Sequence, residues 1–443
     1  MIYLSVGTNL GNRLSNIERA VHLLRKRCLP DLTCSIILET EALLPQGAPP
    51  AWNRPYLNMV VCGNSTLSPE DLLREMKEIE HEIGRPLSYE KWAPRLIDLD
   101  ILLWDDVTIH RPHLTVPHPE LMNRPFLVHL LALLNPLNKF PFQDGHPFSN
   151  QTFGAIASAM ANLSFIKSLT LYPKLVGIVN VTPDSFSDGG LYFEASTAVR
   201  HAFELSSCGA SIVELGAQST RPNAEVLSPE SEYERLAPVF EGLSDAIKDG
   251  TIRVSLDSYW PEVILRLLKQ YPIAWINDVK GCLDDATLKT IANHGCQFVA
   301  MHSLAVPAQR EQHLDNSLDP IDTINDWATR TINRLLQAGF KQEAIIIDPG
   351  IGFGKSAYQS GHIIRYVERI KRHGCQVLIG HSRKSFMSSF CTSEPYHRDL
   401  ETIAVSSFLH AREIDFLRVH DVQKHQRFFV AQHAMHGGVS APL

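Results

Sequence analysis

The chain has 443 residues, 44% of them hydrophobic and 20% charged, with a formal net charge of −7. This is the composition of a globular protein long enough for two domains, and its acidic balance argues against general binding to nucleic acid or to an anionic membrane surface. The eight cysteines show no C-x-x-C spacing, which reads as reduced thiols. The opening apolar run is broken at Asn9, no stretch is long enough to span a bilayer, and the expectation is a soluble cytoplasmic protein.

In chain order, "IYLSVG" reads as a strand and "SNIERAVHLLRKRC" as an amphipathic helix capped by Ser15 or Asn16. "TCSIILETEAL" and "YLNMVVCGN" read as two strands flanking a proline-rich loop. In "SPEDLLREMKEIEHEIG", Ser68 is placed as N-cap, Pro69 at the first position, acids in the first turn and Gly84 at the end. The strand "LIDLDILLW" and the helix "PELMNRPFLVHLLALLN" follow. The order β-α-β-β-α-β is that of a ferredoxin-like α+β sandwich.

From about residue 175 the rhythm changes. "LVGIVNVT", "SIVELGA", "RVSLDS", "WINDV", "QFVAMHS", "AIIIDPG", "QVLIGHS" and "FLRVHD" are short apolar runs, each followed by a helical stretch. Near-continuous apolar strands belong to parallel sheets buried on both faces, and eight βα units at this length predict a (β/α)8 TIM barrel. The expected division of this two-domain α/β chain is 1–163, a linker at 164–174, and 175–443.

Barrel active sites lie at the carboxyl ends of the strands. Those ends carry Asn180 with Thr182 and Asp184, Gln218 with Arg221, Asp257, Asn277 with Asp278, His302, Asp348, Ser382 to Lys384, and Arg418 with His420. Loops are polar in any barrel, but so many carboxylates, amides and cations on one rim point to a ligand. "IIIDPGIGFGKS" is not a Walker A loop, because the position that requires the first glycine holds Pro349. What remains is an aspartate at a strand end followed by a flexible glycine ribbon. In the first half, Asp98 and Asp100 stand two apart on a strand and so face the same way. Two such carboxylates suit a hard cation such as Mg²⁺, and Arg85, Lys91, Arg95 and Arg124 lie in flanking segments. Taken singly, Tyr56 and Phe126 read as core residues, Asp257 or Asp348 as a helix cap, and His420 as a packed histidine. A metal-dependent barrel hydrolase would need His-x-His on the first strand or H-E-x-x-H, and neither is present.

"DPGIGFGK", "GIVNVTPDSFSDGG", "GAQSTRP", "SLDS", "INDV", "IGHSRKS" and "RVHD" together resemble dihydropteroate synthase over essentially all of 175–443. "GTNLGN", "PYLN", "KWAPRLIDLDI", "LTVPHPEL" and "NRPF" resemble hydroxymethyldihydropterin pyrophosphokinase. The chain thus looks like a fusion of two consecutive folate-pathway enzymes. The resemblance implies ATP-dependent diphosphorylation of 6-hydroxymethyl-7,8-dihydropterin, giving AMP, and then condensation of the pterin diphosphate with 4-aminobenzoate, releasing diphosphate.

In the kinase half it implies Arg85 and Arg95 as catalytic residues, Thr40, Leu43, Tyr56, Asn58 and Phe126 around the pterin, and Glu80, Trp92, Arg95, Ile101, Thr115, His118 and Arg124 around ATP. Asp98 and Asp100 would hold two Mg²⁺ ions. In the synthase half it implies Asp257, Lys384 and Arg418 as catalytic. Asn277, Met301, Asp348, Phe353 and Ser382 would contact substrate with them, Thr220, Arg221 and His420 would meet the diphosphate, and Asn180 would hold one Mg²⁺. The partners implied are small molecules, with no nucleic acid or membrane and with a homodimer through the barrel. The chain departs from the family at Pro86-Leu87-Ser88 and Lys77 in the kinase half, and at Glu214, Ala217, Gln218 and Ser258 in the synthase half. The alternative reading is a chain with one catalytically dead half acting as a pterin-binding or scaffold domain.

Overall fold

Alternating apolar residues in the first segment make β1 (Ile2–Thr8) a central strand, with β4 (Tyr56–Gly63) and β5 (Asp98–Trp104) antiparallel on either side. This computed structural model describes residues 1–440 apart from 87, 89, 91, 142–147, 161–162, 182–194, 219–225 and 310. The expected strand "TCSIILETEAL" is two pieces, β2 (Thr33–Cys34) and β3 (Ile37–Thr40), both paired with β4. The resulting order β5-β1-β4-β2/β3 is that of a ferredoxin-like sheet. A hairpin of β6 (Ile109–Arg111) and β7 (Leu114–Val116) follows β5. The edges are extended by β8 (Lys167–Leu169) on β3 and by β17 (Val439–Ser440) on β2.

Helices Arg13–Arg27 and Pro69–Ile83 cover one face of this sheet, and Pro125–Leu134 and Phe153–Ala159 pack on the other. The second helix starts and ends as its sequence indicates: the Ser68 hydroxyl accepts from the Asp71 N–H at 3.2 Å, and Gly84 ends it at φ 116°. The first helix begins earlier than expected. Its cap is Asn12, whose side chain accepts from the Ser15 N–H at 3.0 Å, so Ser15 and Asn16 lie inside the helix.

The eight apolar runs of the second half are β9 (Lys174–Asn180), β10 (Ile212–Gly216), β11 (Val254–Asp257), β12 (Trp275–Asp278), β13 (Gln297–Met301), β14 (Ile345–Asp348), β15 (Gln376–Ile379) and β16 (Phe416–Val419). They are parallel and close into a barrel in chain order, β16 pairing back onto β9. Val176, Ile212, Trp275, Val299, Ile346, Leu378 and Phe416 fill its interior. By contact the chain divides into Met1–Tyr172 with Gln426–Leu443, and Pro173–His425.

After β14 the chain must turn back against the end of β13. Gly350 has φ +66°, and a Cβ there would lie 2.0 Å from the His302 carbonyl oxygen. Gly350→Ala is therefore expected to destabilise the barrel by at least about 1–3 kcal/mol, the usual cost of a forced backbone conformation, before any clash is counted. Thermal or urea unfolding checks this; a wild-type midpoint contradicts it.

Candidate active sites

In the first unit, strand register assembles the site. Gly7 of β1 faces Asp98 on one side and Asn58 on the other, and Ser5 faces Asp100. A cleft of about 140 Å³ opens above them, lined by Thr40, Leu43, Tyr56, Asn58, Trp92, Arg95, Asp98, Asp100, Arg124 and Phe126 among others. The residues expected around a pterin thus meet the expected carboxylates in one place. Asn58 donates to the Thr40 hydroxyl at 3.0 Å, which orients its amide.

The charges behind the cleft form one network. Arg85, 4% exposed, donates to Asp98 Oδ1 at 2.7 Å and lies 2.8 Å from Glu80 Oε1. Arg95 Nη1 is 3.1 Å from Asp98 Oδ2, and its buried Nε has no hydrogen-bond partner among the described residues. Glu80 also accepts from the Leu99 N–H and from Lys77. Burial pushes Asp98 up, but Arg95 and Arg85 outweigh it and hold the carboxyl below its usual range. Asp100 is raised by burial and by the Asp98 charge beside it. Such a split pair gains from a cation. Among the described residues, no group of three or more His, Cys, Asp or Glu side chains is arranged to hold a metal. The two-carboxylate set fits Mg²⁺ that takes its other ligands from water and phosphate. Glu80, Ile101, Thr115 and His118 do not line this cleft. Ile101 is buried against β1, Thr115 pairs with His110, and the His118 N–H donates to the Leu102 carbonyl at 2.9 Å. Sequence reasoning missed Glu41, Glu120 and Asn123, which line it from loops and a single 3-10 turn (Leu121–Asn123) without a periodic signal.

At the barrel mouth, Asn180, Gly216, Asp257 and Asn277 form one rung of the ladder, and Met301 pairs with Asp348. One residue pair deeper, Glu214 of β10 is 1% exposed and joins three strands. It accepts from Arg418 Nε, from Asn277 Nδ2 at 3.0 Å and from the Ser255 hydroxyl at 3.4 Å. Glu214 was noted in the sequence only as a departure. Its signal was the strand period, since it stands two residues before Gly216 and so points to the same side. Arg418 also lies 3.5 Å from Asp257 Oδ2. Burial and the neighbouring Glu214 charge push Asp257 well up. Asn277 keeps a buried Oδ1 with no partner among the described residues, an acceptor open to a ligand N–H.

Arg418, Asp348 and Lys384 converge on Gly380: a Cβ there would lie 3.6 Å from Arg418 Cδ, 3.7 Å from Asp348 Oδ2 and 3.7 Å from Lys384 Nζ. Lys384 donates to the Ile351 carbonyl at 2.7 Å and sits 4.7 Å over the Phe353 ring. Phe353 packs with Met301. Ser382 and His420 meet through Oγ and Nδ1 at 2.9 Å. His420 is pushed down to about 3 by burial and by Arg383 and Arg418, so it is neutral at physiological pH. Thr220, Arg221, Lys91, Thr182 and Asp184 lie outside the described residues.

Burial lowers Lys384 to about 8 against the opposing pull of Asp348. A lysine that must donate as an ammonium loses that role as its proton leaves. The barrel reaction's kcat/KM is expected to fall as pH rises through about 8, a limb that Lys384→Arg removes from the pH–rate profile because a guanidinium stays charged. A flat profile for the unaltered chain between pH 7 and 9 contradicts this assignment.

A carboxylate–guanidinium cleft on an α+β sheet, and a barrel whose mouth gathers acids, amides and cations, define a protein with two separate sites for polar small molecules. Comparison with known proteins gives the family. Residues 176–420 match the family of pterin binding enzymes, and residues 3–136 match 7,8-dihydro-6-hydroxymethylpterin-pyrophosphokinase. The folate synthesis bifunctional protein of Chlamydia caviae is 38% identical over 442 residues, covering 97% of both chains. Its mitochondrial counterpart from Pisum sativum is 30% identical, covering 95% of this chain and 87% of the relative. Among solved structures, dihydropteroate synthase of Anaplasma phagocytophilum with bound 6-hydroxymethylpterin-monophosphate is 31% identical with a TM-score of 0.53, covering 59% of this chain and 98% of the other. The enzyme of Xanthomonas albilineans with 4-aminobenzoic acid is 31% identical with a TM-score of 0.54, covering 61% and 95%. The chain belongs to the bifunctional folate-synthesis family, joining a hydroxymethyldihydropterin pyrophosphokinase to a dihydropteroate synthase. Among the described residues no helix is long and apolar enough to cross a membrane.

Proposed function

We propose that the unit Met1–Tyr172 with Gln426–Leu443 carries the kinase reaction and the unit Pro173–His425 the synthase reaction, in place of the expected bounds 1–163 and 175–443, and that the side chains described above perform the chemistry as follows. In the first cleft Tyr56 and Phe126 flank the flat pterin, and Asn58, oriented by Thr40, reads its edge. The pterin hydroxymethyl oxygen attacks the β-phosphorus of ATP, the bond to the α-phosphate oxygen breaks, AMP leaves and the hydroxyl proton is lost. Arg85 and Arg95 neutralise charge developing on the phosphoryl oxygens. Asp98 and Asp100 are the groups that would hold Mg²⁺, which when bound supplies positive charge to the phosphates; two ions follow the family pattern. His118, Thr115 and Arg124 are assigned to ATP by that pattern.

In the barrel, Asp348 accepts from the pterin 2-amino and ring N–H groups, Asn277 offers its free acceptor, Lys384 donates, and Arg418 stacks and meets the diphosphate. The C–O bond at the pterin methylene breaks and diphosphate leaves. The amine of 4-aminobenzoate attacks that carbon and loses a proton. Thr220, Arg221, His420 and Asn180, the latter with one Mg²⁺, are assigned to the diphosphate side, and Ser382 to 4-aminobenzoate. The ligands held by the Anaplasma and Xanthomonas enzymes support this substrate pair. A barrel-mediated homodimer is implied by the family resemblance and is tested by equilibrium sedimentation.

The observation that carries the reading is the convergence of Asp348, Lys384 and Arg418 around Gly380. The test is two assays on the full chain with Mg²⁺: AMP formation from ATP and hydroxymethyldihydropterin, and diphosphate release from the pterin diphosphate with 4-aminobenzoate. Both reactions are expected; absence of either overturns the assignment for that half.

A further inference from the structure

Gly354-Lys355-Ser356 ends the run "IIIDPGIGFGKS", and neither reaction assigns these three residues a role. Lys355 is 4% exposed, and its Nζ meets three groups: His302 Nδ1 at 2.8 Å, the His302 carbonyl at 2.9 Å and the Phe353 carbonyl at 2.9 Å. Two N–H groups go to the two carbonyls, and the contact with His302 Nδ1 is made whether the amine or the ring carries the shared proton, so the tripod is complete even though burial lowers the amine well below its usual range. No donor remains for a phosphate. The His302 ring packs edge-on against Trp327.

The tripod ties two strand ends together. His302 follows β13, and its N–H donates to the Asp348 carbonyl at 2.9 Å. Phe353 lies in the turn after β14. Within that turn the Gly350 N–H donates to Asp348 Oδ1 at 2.7 Å, and the Ile351 carbonyl accepts from Lys384 at 2.7 Å. A Cβ on Gly350 would lie 3.3 Å from Lys355 Nζ, so the amine nitrogen sits directly against the turn. The backbone groups that aim Asp348 and Lys384 thus belong to a segment that Lys355 pins from below.

We propose that Lys355 is a positioning residue of the synthase reaction, clamping the 350–354 turn to the end of β13 and so setting the spacing of Asp348, Phe353 and Lys384 around the pterin ring. The inference rests on the synthase reading above. Its test compares Lys355→Met and Lys355→Arg in the full chain. Lys355→Met, left with three unpaired buried polar groups, is expected to raise KM for the pterin diphosphate about tenfold or more, the scale of one such loss. KM for 4-aminobenzoate and the kinase rate should stay within about twofold, since a general loss of fold would move both, and Lys355→Arg should recover part of the pterin KM. Hydrogen exchange at the Gly350 and Phe353 amides is the second readout, expected to speed up at least about tenfold in Lys355→Met. If that variant does not fold, the same two quantities are read in His302→Phe, which keeps a ring against Trp327 but removes the nitrogen that meets Lys355, and should move both in the same direction. Unchanged pterin KM and unchanged exchange in a folded variant overturn the proposal. Failure of the unaltered chain to turn over pterin diphosphate instead sinks the functional reading, and the exchange rates alone then decide on the clamp.

Discussion

Asp98→Ala is expected to lower the kinase rate by about 10³-fold while leaving the synthase rate unchanged, the scale seen when a preorganised charge partner is removed from a reacting phosphoryl site. Both oxygens of Asp98 are engaged, one by Arg85 and the other by Arg95. Arg85 is nearly inaccessible and shares its remaining charge with Glu80. Without Asp98 the two guanidiniums lose the carboxylate that aims them, and Asp100 must hold a cation unaided. Asp98→Asn separates these effects. It keeps the shape and an acceptor but loses the charge, so a comparable loss assigns the effect to electrostatics. The readout is AMP release against Mg²⁺ concentration; wild-type turnover at saturating Mg²⁺ would refute the role.

Arg418→Ala is expected to cost the synthase reaction about 10²–10³-fold in kcat/KM and to destabilise the barrel as well. Glu214 is almost fully buried and takes its charged hydrogen bond from Arg418, and Asp257 lies within ion-pair range of the same guanidinium. Removing the cation leaves two buried carboxyls facing each other, and breaking such a pair typically costs about 3–5 kcal/mol. The double variant Glu214→Gln/Arg418→Met distinguishes the roles. It removes both charges and should recover much of the lost thermal stability, while activity stays low because no cation meets the diphosphate. Recovery of activity in the double variant, or no loss in the single one, contradicts this account.

Some of this was legible in one dimension. Period-2 patterning put Asp98 and Asp100 on one face of a strand, and both line the cleft. Ser68, Pro69 and Gly84 marked a helix that begins and ends where they stand. Other features were hidden. Asn12, not Ser15, caps the first helix, because the choice depends on which side chain reaches a free N–H once the preceding turn is fixed. Gly-Lys-Ser read locally as a phosphate loop that fails its spacing. Two of the lysine's three partners lie 53 residues away, on His302.

The order of residues sufficed for the periodicity of the strands, the caps of the second helix, the eight-fold βα rhythm and the chemical types at each strand end. These are local properties, set by side-chain alternation and backbone preference within a few residues. Which charges meet was settled by folding alone. Glu214 finds Arg418 across 204 residues, and Gly7 of the first strand comes to lie between Asn58 and Asp98. Partnership between distant groups depends on barrel closure and strand register, and a buried charge is tolerable only where that geometry delivers its counterpart.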